Sequence, residues 1–317
     1  MMAPREFSID VRVPASTANL GAGFDCLGLA LEVYLNVRAT VISKPGARAV
    51  ARSRGVKGSS SLPSTPEENL IFRAMAHAAE REKLRFPAVR LAVQNDIPVA
   101  SGLGSSAAAT VAGVVLGFAV AGRAMSREVA LQYAAEVEGH ADNVAAALLG
   151  GLVVTVAGKD GSVAAVRKRW PKMIRVVAVT PQCTLDTSKS RAVLARTVDF
   201  RDAVHNLQRS ALFVAALEER RYDLLWEAMQ DRLHQIYRKA LVPGLADILA
   251  IPRMPGLLGI ALSGAGPSVI ALATDRFDVI GEEIASRFAR HGLESAFRTF
   301  EIAQDGFSTS EKHLRRR

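Results

Sequence analysis

The sequence is short of aromatic residues, of cysteine and of long uncharged apolar runs, and each shortage closes off a class of protein. Aromatics make up only 6% of the 317 residues, too few to interleave stacking rings with a basic stripe as single-strand nucleic-acid binders do. The net charge of +9 comes from Lys and Arg scattered among Asp and Glu, and part of it sits in Lys312 and Arg315 to Arg317. That distribution describes a mildly basic solvated surface, so no nucleic-acid partner is expected. Two cysteines, Cys26 and Cys183, would add little to a chain this size as one bridge, and both are expected reduced. The longest apolar run, residues 107–121, is interrupted by Gly113 and Gly117 and falls short of the roughly 18–20 residues that span a bilayer. No membrane contact is expected. Met1 to Asp10 carry charges without the apolar stretch of a secretory signal, which predicts a cytoplasmic protein.

What is present is a chain that is 49% hydrophobic, long enough for a substantial core divided between two lobes. Residues 7–13 alternate apolar and polar and read as a half-buried strand, and 33–41 as a second, with the segment 14–31 between them. A Gly, Ser and Pro-rich loop covers 55–66, and 67–83 has helical periodicity through Leu70, Ile71, Ala74, Met75 and Ala78. A strand at 89–93 leads into a loop at 98–106 and a small-residue helix beginning near Ala107. Ser126 caps a helix over 126–137. Strands at 152–156 and 174–180 flank a polar connection, which places the lobe boundary near Lys168. Beyond it come helices at 199–218, 222–241 and 278–291 and a strand at 259–262 followed by a glycine turn. The expected layout is an N-terminal lobe over 1–168, a C-terminal lobe over 169–302 and a disordered basic tail over 303–317.

Chemistry concentrates in Pro98-Val-Ala-Ser-Gly-Leu-Gly-Ser-Ser-Ala107. Gly102 and Gly104 let backbone amides approach a ligand, and the helix that follows offers unpaired N–H groups and a positive dipole end, the arrangement that holds phosphate. No Lys follows the last glycine, so this is not a Walker A loop, and the spacing is not that of a dinucleotide-binding fingerprint. Taken alone, a tight turn before a closely packed helix explains it about as well.

The loop resembles the central motif of the GHMP kinases, the galactose, homoserine, mevalonate and phosphomevalonate kinase family. Two further segments resemble that family's other motifs in the right order: PASTANLGAGFDCLGLAL at 14–31 and GIALSGAGPSV at 259–269. The resemblance thus spans residues 14 to 269, and the segments GHADNV at 139–144, DTSKSR at 186–191 and DRLHQIYR at 231–238 are similar to those of its homoserine-kinase branch. It implies an α+β, two-lobed fold with ATP in the cleft between a mixed α/β N-terminal lobe and an α+β C-terminal lobe. It also implies small-molecule substrates, ATP and L-homoserine, with Mg²⁺ as cofactor. Oligomeric state stays open, a homodimer being one option.

Site residues follow from the same resemblance. ATP would be held by Pro98, Val99, Ala100, Ser101, Gly102, Leu103, Gly104, Ser105, Ser106 and Ala107, with Asn69 at the adenine. Glu136 with Ser106 would hold the metal, Glu138 being the rival, and Glu136, Asn143 and Ser106 form the catalytic set. Asn19, Asp25, His140, Thr187, Arg191, Arg238 and Gly264 would bind the acceptor. A free amino acid needs a carboxylate for its ammonium and a guanidinium for its carboxylate, and Asp25, Arg191 and Arg238 supply both signs. Each has a plain structural alternative: a turn cap for Asp25, a solvated face for Arg191, an exposed helix for Arg238, an N-cap for Asn69, a charged helix end for Glu136 and Glu138. Two other functions stay open: a GHMP kinase for another alcohol, of mevalonate or sugar type, and a non-catalytic anion-binding module.

Overall fold

The computed structural model of the chain describes residues 7–42, 50–55, 65–85 and 87–313. Its first sheet starts from β1 (Phe7–Ala18) and β2 (Leu27–Val41), which pair antiparallel from Ser8↔Thr40 to Ala18↔Gly28 with a register shift between Pro14 and Ala15. Both strands run past 7–13 and 33–41, leaving only residues 19–26 to turn between them. The apolar period of two explains the extension: Leu27, Leu29, Leu31, Val33, Leu35, Val37 and Ala39 are all buried. β3 (Val50–Gly55) lies parallel to β4 (Val89–Asn95), with α1 (Leu70–Arg81) in the crossover. α1 begins later than residue 67 because the Asn69 side chain accepts from the Ile71 amide at 3.0 Å and caps it. Residues 56–64 of the expected loop lie outside the described residues.

α2 (Ser105–Val120), α3 (Arg127–Glu138) and α4 (Asp142–Leu149) complete the helical layer. α2 is buried nearly all round, from Ala107 to Phe118, as a helix apolar on every face must be. β5 (Leu152–Ala157) pairs with β2 and with β6 (Val163–Lys168). Neither α4 nor β6 has a counterpart among the expected elements. β6 occupies the stretch expected as a polar connection, and with Val166 71% exposed it lacks the buried face that makes a strand visible in sequence.

From β7 (Arg175–Pro181) the chain builds a second, antiparallel sheet with β8 (Leu257–Leu262), β9 (Val269–Ala273) and β10 (Ser295–Phe300), in the order β10-β7-β9-β8. β7 alternates between two cores: Val176 and Ala178 face the larger cluster, and Val177 and Val179 the smaller one around Leu245, Ile248, Ile284 and Phe288. Between β7 and β8 run α5 (Thr187–Ala192), α6 (Phe200–Glu218), α7 (Leu225–Ala228), α8 (Gln235–Arg238) and α9 (Leu245–Leu249); α10 (Phe277–Arg290) follows β9. The single helix expected over 222–241 is broken. The buried carboxylate of Asp231 accepts the amides of Leu233, His234 and Gln235 at 2.9, 3.1 and 2.7 Å, and so folds the chain into a turn in mid-segment.

The expected disordered tail is corrected as well. Ser308–His313 forms β11, antiparallel on β1 from Phe7↔His313 to Arg12↔Ser308. The open edge of β1 supplies the ladder, Ile302 and Ala303 are buried just ahead of it, and Lys312 Nζ lies 3.4 Å from Asp10. Arg315 to Arg317 lie outside the described residues. Cys26 and Cys183 are unpaired, and no helix among the described residues is long and apolar enough to cross a membrane.

Candidate active site

The N-terminus of α2 opens into a cavity of about 360 Å³ where the two sheets meet. Val99 to Ala107 line it, and Pro98 stands behind them, its carbonyl accepting the Ser101 hydroxyl at 2.8 Å. Gly102 has φ +83°, and a Cβ there would lie 2.4 Å from the Ser263 carbonyl. Gly104, at φ 70°, starts α2 without any side-chain cap. The first-turn N–H groups of this 16-residue helix are therefore left for an anion, at the positive end of its dipole.

Hydrogen bonds knit four segments far apart in sequence into one wall. The Ser16 amide donates to Leu103 O at 3.2 Å, the Ser263 hydroxyl to Gly102 O at 2.7 Å, and Asn19 Nδ2 to Gly264 O at 2.9 Å. Thr17 and Ser263 share a hydroxyl contact of 2.8 Å, and Ser16 Oγ donates to Asn143 Oδ1 at 2.9 Å.

Beyond the loop the cavity is lined by Asn19, Asp25, His140, Asn143, Thr187, Arg191, Arg238 and Gly264, so every expected acceptor residue reaches it. Asp25 and Arg191 face each other in a two-pronged ion pair of 2.9 and 2.7 Å, and the carboxylate holds the Arg191 guanidinium above its ordinary range. Arg238 is 1% exposed, not the surface residue of an exposed helix. Its Nε donates to Ser190 O at 3.2 Å and its Nη1 to Gly264 O at 2.9 Å. Burial and the nearby charge of Arg191 push it down to about 10, which leaves it cationic at neutral pH. Phe24, on the cavity wall, lies under both guanidiniums, at 5.8 Å from Arg191 and 5.4 Å from Arg238.

His140 Nδ1 lies 3.1 Å from Asp142 Oδ1. Burial opposes its charge, but the hydrogen bond and field of Asp142, with Glu138 beyond, outweigh that and raise its pKa. Asp142, itself on the cavity wall, also accepts the Asn143 amide at 2.7 Å. No role for Asp142 follows from the motifs, and its place one residue before Asn143 is the only signal the sequence carries for it.

Glu136 is not the carboxylate of this site. It turns to α1, where His77 Nε2 lies at 2.7 Å and Arg81 at 3.4 Å, with Gln132 donating at 3.0 Å. Burial disfavours its ionisation, yet these partners outweigh burial and hold its carboxyl below the usual range. Glu138, two residues on and so about 200° round the helix, lines the cavity and accepts from Ser106 Oγ at 2.7 Å and Thr110 Oγ1 at 2.6 Å. One carboxylate with two hydroxyls is a hard-oxygen set that suits Mg²⁺, an ion that keeps several waters and takes few protein ligands. Asn69 does not line the cavity; it is 1% exposed and caps α1, while its neighbour Leu70 reaches the wall.

The sequence matches the GHMP kinases N terminal domain over residues 69–151 and the GHMP kinases C terminal over 213–290. It is 36% identical to the homoserine kinase of Saccharomyces cerevisiae, covering 95% of this chain and 98% of that one. To the homoserine kinase of Deinococcus radiodurans it is 46% identical over 84% of each chain. Its fold is similar to the crystal structure of homoserine kinase from Cytophaga hutchinsonii, with a TM-score of 0.83 and 29% identity over 96% of this chain and 97% of that one.

Proposed function

The chain belongs to the GHMP kinases, and from that premise we propose that it uses ATP to phosphorylate the side-chain hydroxyl of L-homoserine, a step of threonine biosynthesis. The products are O-phospho-L-homoserine and ADP. The observation that carries this reading is the charge set of the cavity: Asp25, Arg191 and Arg238 share one wall with the glycine loop. Homoserine is a zwitterion bearing a hydroxyl, so Asp25 suits its ammonium and the two guanidiniums its carboxylate. A sugar needs neither charge, and mevalonate only the cations. The half-exposed Asp25–Arg191 pair, 38% and 37% accessible, costs little to open, since such pairs contribute about 0–1 kcal/mol.

Phosphoryl transfer asks the protein mainly to position reactants and neutralise charge. Backbone amides of the loop and of the first turn of α2 hold the phosphates. Glu138, Ser106 and Thr110 are the residues that would hold Mg²⁺, which supplies neutralisation of phosphate charge when bound. Asn143, tied to Ser16, and His140, tied to Asp142, line the same cavity as the loop and the acceptor residues, and their role in this reading is to orient the hydroxyl. Hydrogen bonds to charged groups contribute about 1.5–3 kcal/mol, so 4-hydroxybutyrate, lacking the ammonium, and 3-aminopropan-1-ol, lacking the carboxylate, should each lose roughly 10- to 100-fold in kcat/KM relative to homoserine. Steady-state ADP release measures this, and equal efficiency for all three acceptors would remove the charge set from recognition.

A further inference from the structure

Next to Arg238 of the acceptor wall lies a histidine that takes no part in the proposed transfer. His234 has no exposed surface, and its ring stacks on Phe24 with centroids 5.1 Å apart and planes at 24°. Nδ1 lies 3.0 Å from Arg238 Nη1, and Nε2 lies 2.8 Å from the Gly21 carbonyl. A guanidinium can only donate and a carbonyl only accept. Both contacts are hydrogen bonds in one protonation state alone, the neutral ring with its proton on Nε2 and a lone pair on Nδ1. The nearby carboxylate does not compete, since Asp231 Oδ2 is 3.7 Å from Nε2 and is committed to the His234 and Gln235 amides.

We propose that His234, held as the neutral Nε2–H tautomer, is a positioning residue that fixes the Arg238 guanidinium for the carboxylate of the acceptor. The Ser190 and Gly264 carbonyls accept from Nε and Nη1 of that guanidinium, and His234 supplies a third contact, at Nη1. Nη2, in contrast, has no hydrogen-bond partner among the described residues, which leaves it for ligand on a residue that lines the cavity. A proton added at Nδ1 would set one N–H against another, so charged His234 and this placement of Arg238 exclude each other. Burial and the charge of Arg238 favour the neutral ring, while Asp231 and Asp25 oppose them, and the Arg191 guanidinium lies over the same Phe24 ring at 5.8 Å. Affinity for a carboxylate-bearing acceptor therefore falls in acid as His234 charges, without a matching loss of affinity for ATP.

The inference rests on homoserine, or another amino-acid alcohol, being the acceptor, and two measurements separate its failure from a failure of that reading. The first is ¹⁵N NMR of the histidine-labelled full chain at neutral pH, which reads the tautomer with no substrate present. A His234 ring unprotonated at Nδ1 is expected; an Nδ1–H or doubly protonated ring overturns the proposal. The second compares two polar variants of similar size. His234→Asn keeps an acceptor where Nδ1 stands and loses the bond to Gly21, whereas His234→Gln keeps the donor to Gly21 and loses the acceptor. His234→Gln should raise the homoserine KM by roughly tenfold, the scale of one hydrogen bond to a charged group, with the ATP KM unchanged and kcat within about twofold. His234→Asn should stay within about threefold of wild type, half a decade on the same scale. Equal homoserine constants in the two variants overturn the proposal. If both variants fail to fold, the tautomer alone decides. Wild type that turns over no homoserine sinks the functional reading instead and leaves the tautomer result standing.

Discussion

Glu138 and Glu136 differ by two positions on α3, and the chemistry assigned to the site turns on which of them faces α2. Glu138→Gln should lower kcat by at least ~100-fold, beyond the 10- to 100-fold typical of residues that only support a metal ligand, with homoserine KM little changed. Glu136→Gln should leave kcat within a few-fold and affect stability instead, since it loosens the contacts to His77 and Arg81 of α1 and to Gln132. Steady-state kinetics of both variants decide it, and the reverse ranking would return the metal to Glu136. The sequence presents both carboxylates on one helix end; choosing between them needs the rotation of α3 against α2, which only packing sets. The same limit applies to Arg238. Its charge suits a carboxylate, but nothing in the residues around it reveals that it is buried between α5 and the turn from β8 to β9.

Among elements, the glycine loop was the most legible because its function and its conformation depend on the same two residues. Gly102→Ala places a Cβ in the left-handed region and 2.4 Å from Ser263 O. Strain of this kind costs of order 1–3 kcal/mol, and the neighbouring backbone must shift as well. The variant should lose several degrees of thermal midpoint and raise the ATP KM at least ~10-fold, more than the homoserine KM, because the loop that moves is the phosphate cradle. Calorimetry together with kinetics measures it; a wild-type midpoint and ATP KM would mean that the loop tolerates a side chain. Elements held by ladders or by single side chains were the illegible ones. β6 and β11 are polar edge strands without a buried face, and the break in 222–241 depends on one aspartate capturing three amides. β1 and β2, with long stretches of period-two burial, are visible in the sequence, but the glycine-rich segment between them hides the end of β1 and the start of β2.

Across the whole molecule the two lobes are joined by bonds between distant motifs, and two histidines at that junction carry opposite pKa shifts. His234 is held below its ordinary value. As pH falls below about 6.5, the ordinary histidine value, the unfolded chain takes up a proton that the folded site resists, so stability is lost in acid. His140 is held above its ordinary value; its contribution is complete below about 6.5 and is lost as pH rises through the raised folded value. Urea unfolding across pH should therefore show His140→Asn flattening the decline on the alkaline side while the acid decline persists. An unchanged alkaline limb would take His140 out of ion pairing with Asp142. Order and spacing of the three motifs made the family legible, whereas the Asp25–Arg191 pair emerges only when the 19–26 turn and α5 are brought together.

ADP release by the purified protein with ATP and Mg²⁺, compared across homoserine, mevalonate, galactose and threonine, tests the acceptor assignment most directly. The charge set predicts the highest kcat/KM for homoserine, with O-phosphohomoserine as the product. Preference for mevalonate or galactose, or ADP release indifferent to the acceptor supplied, would contradict it.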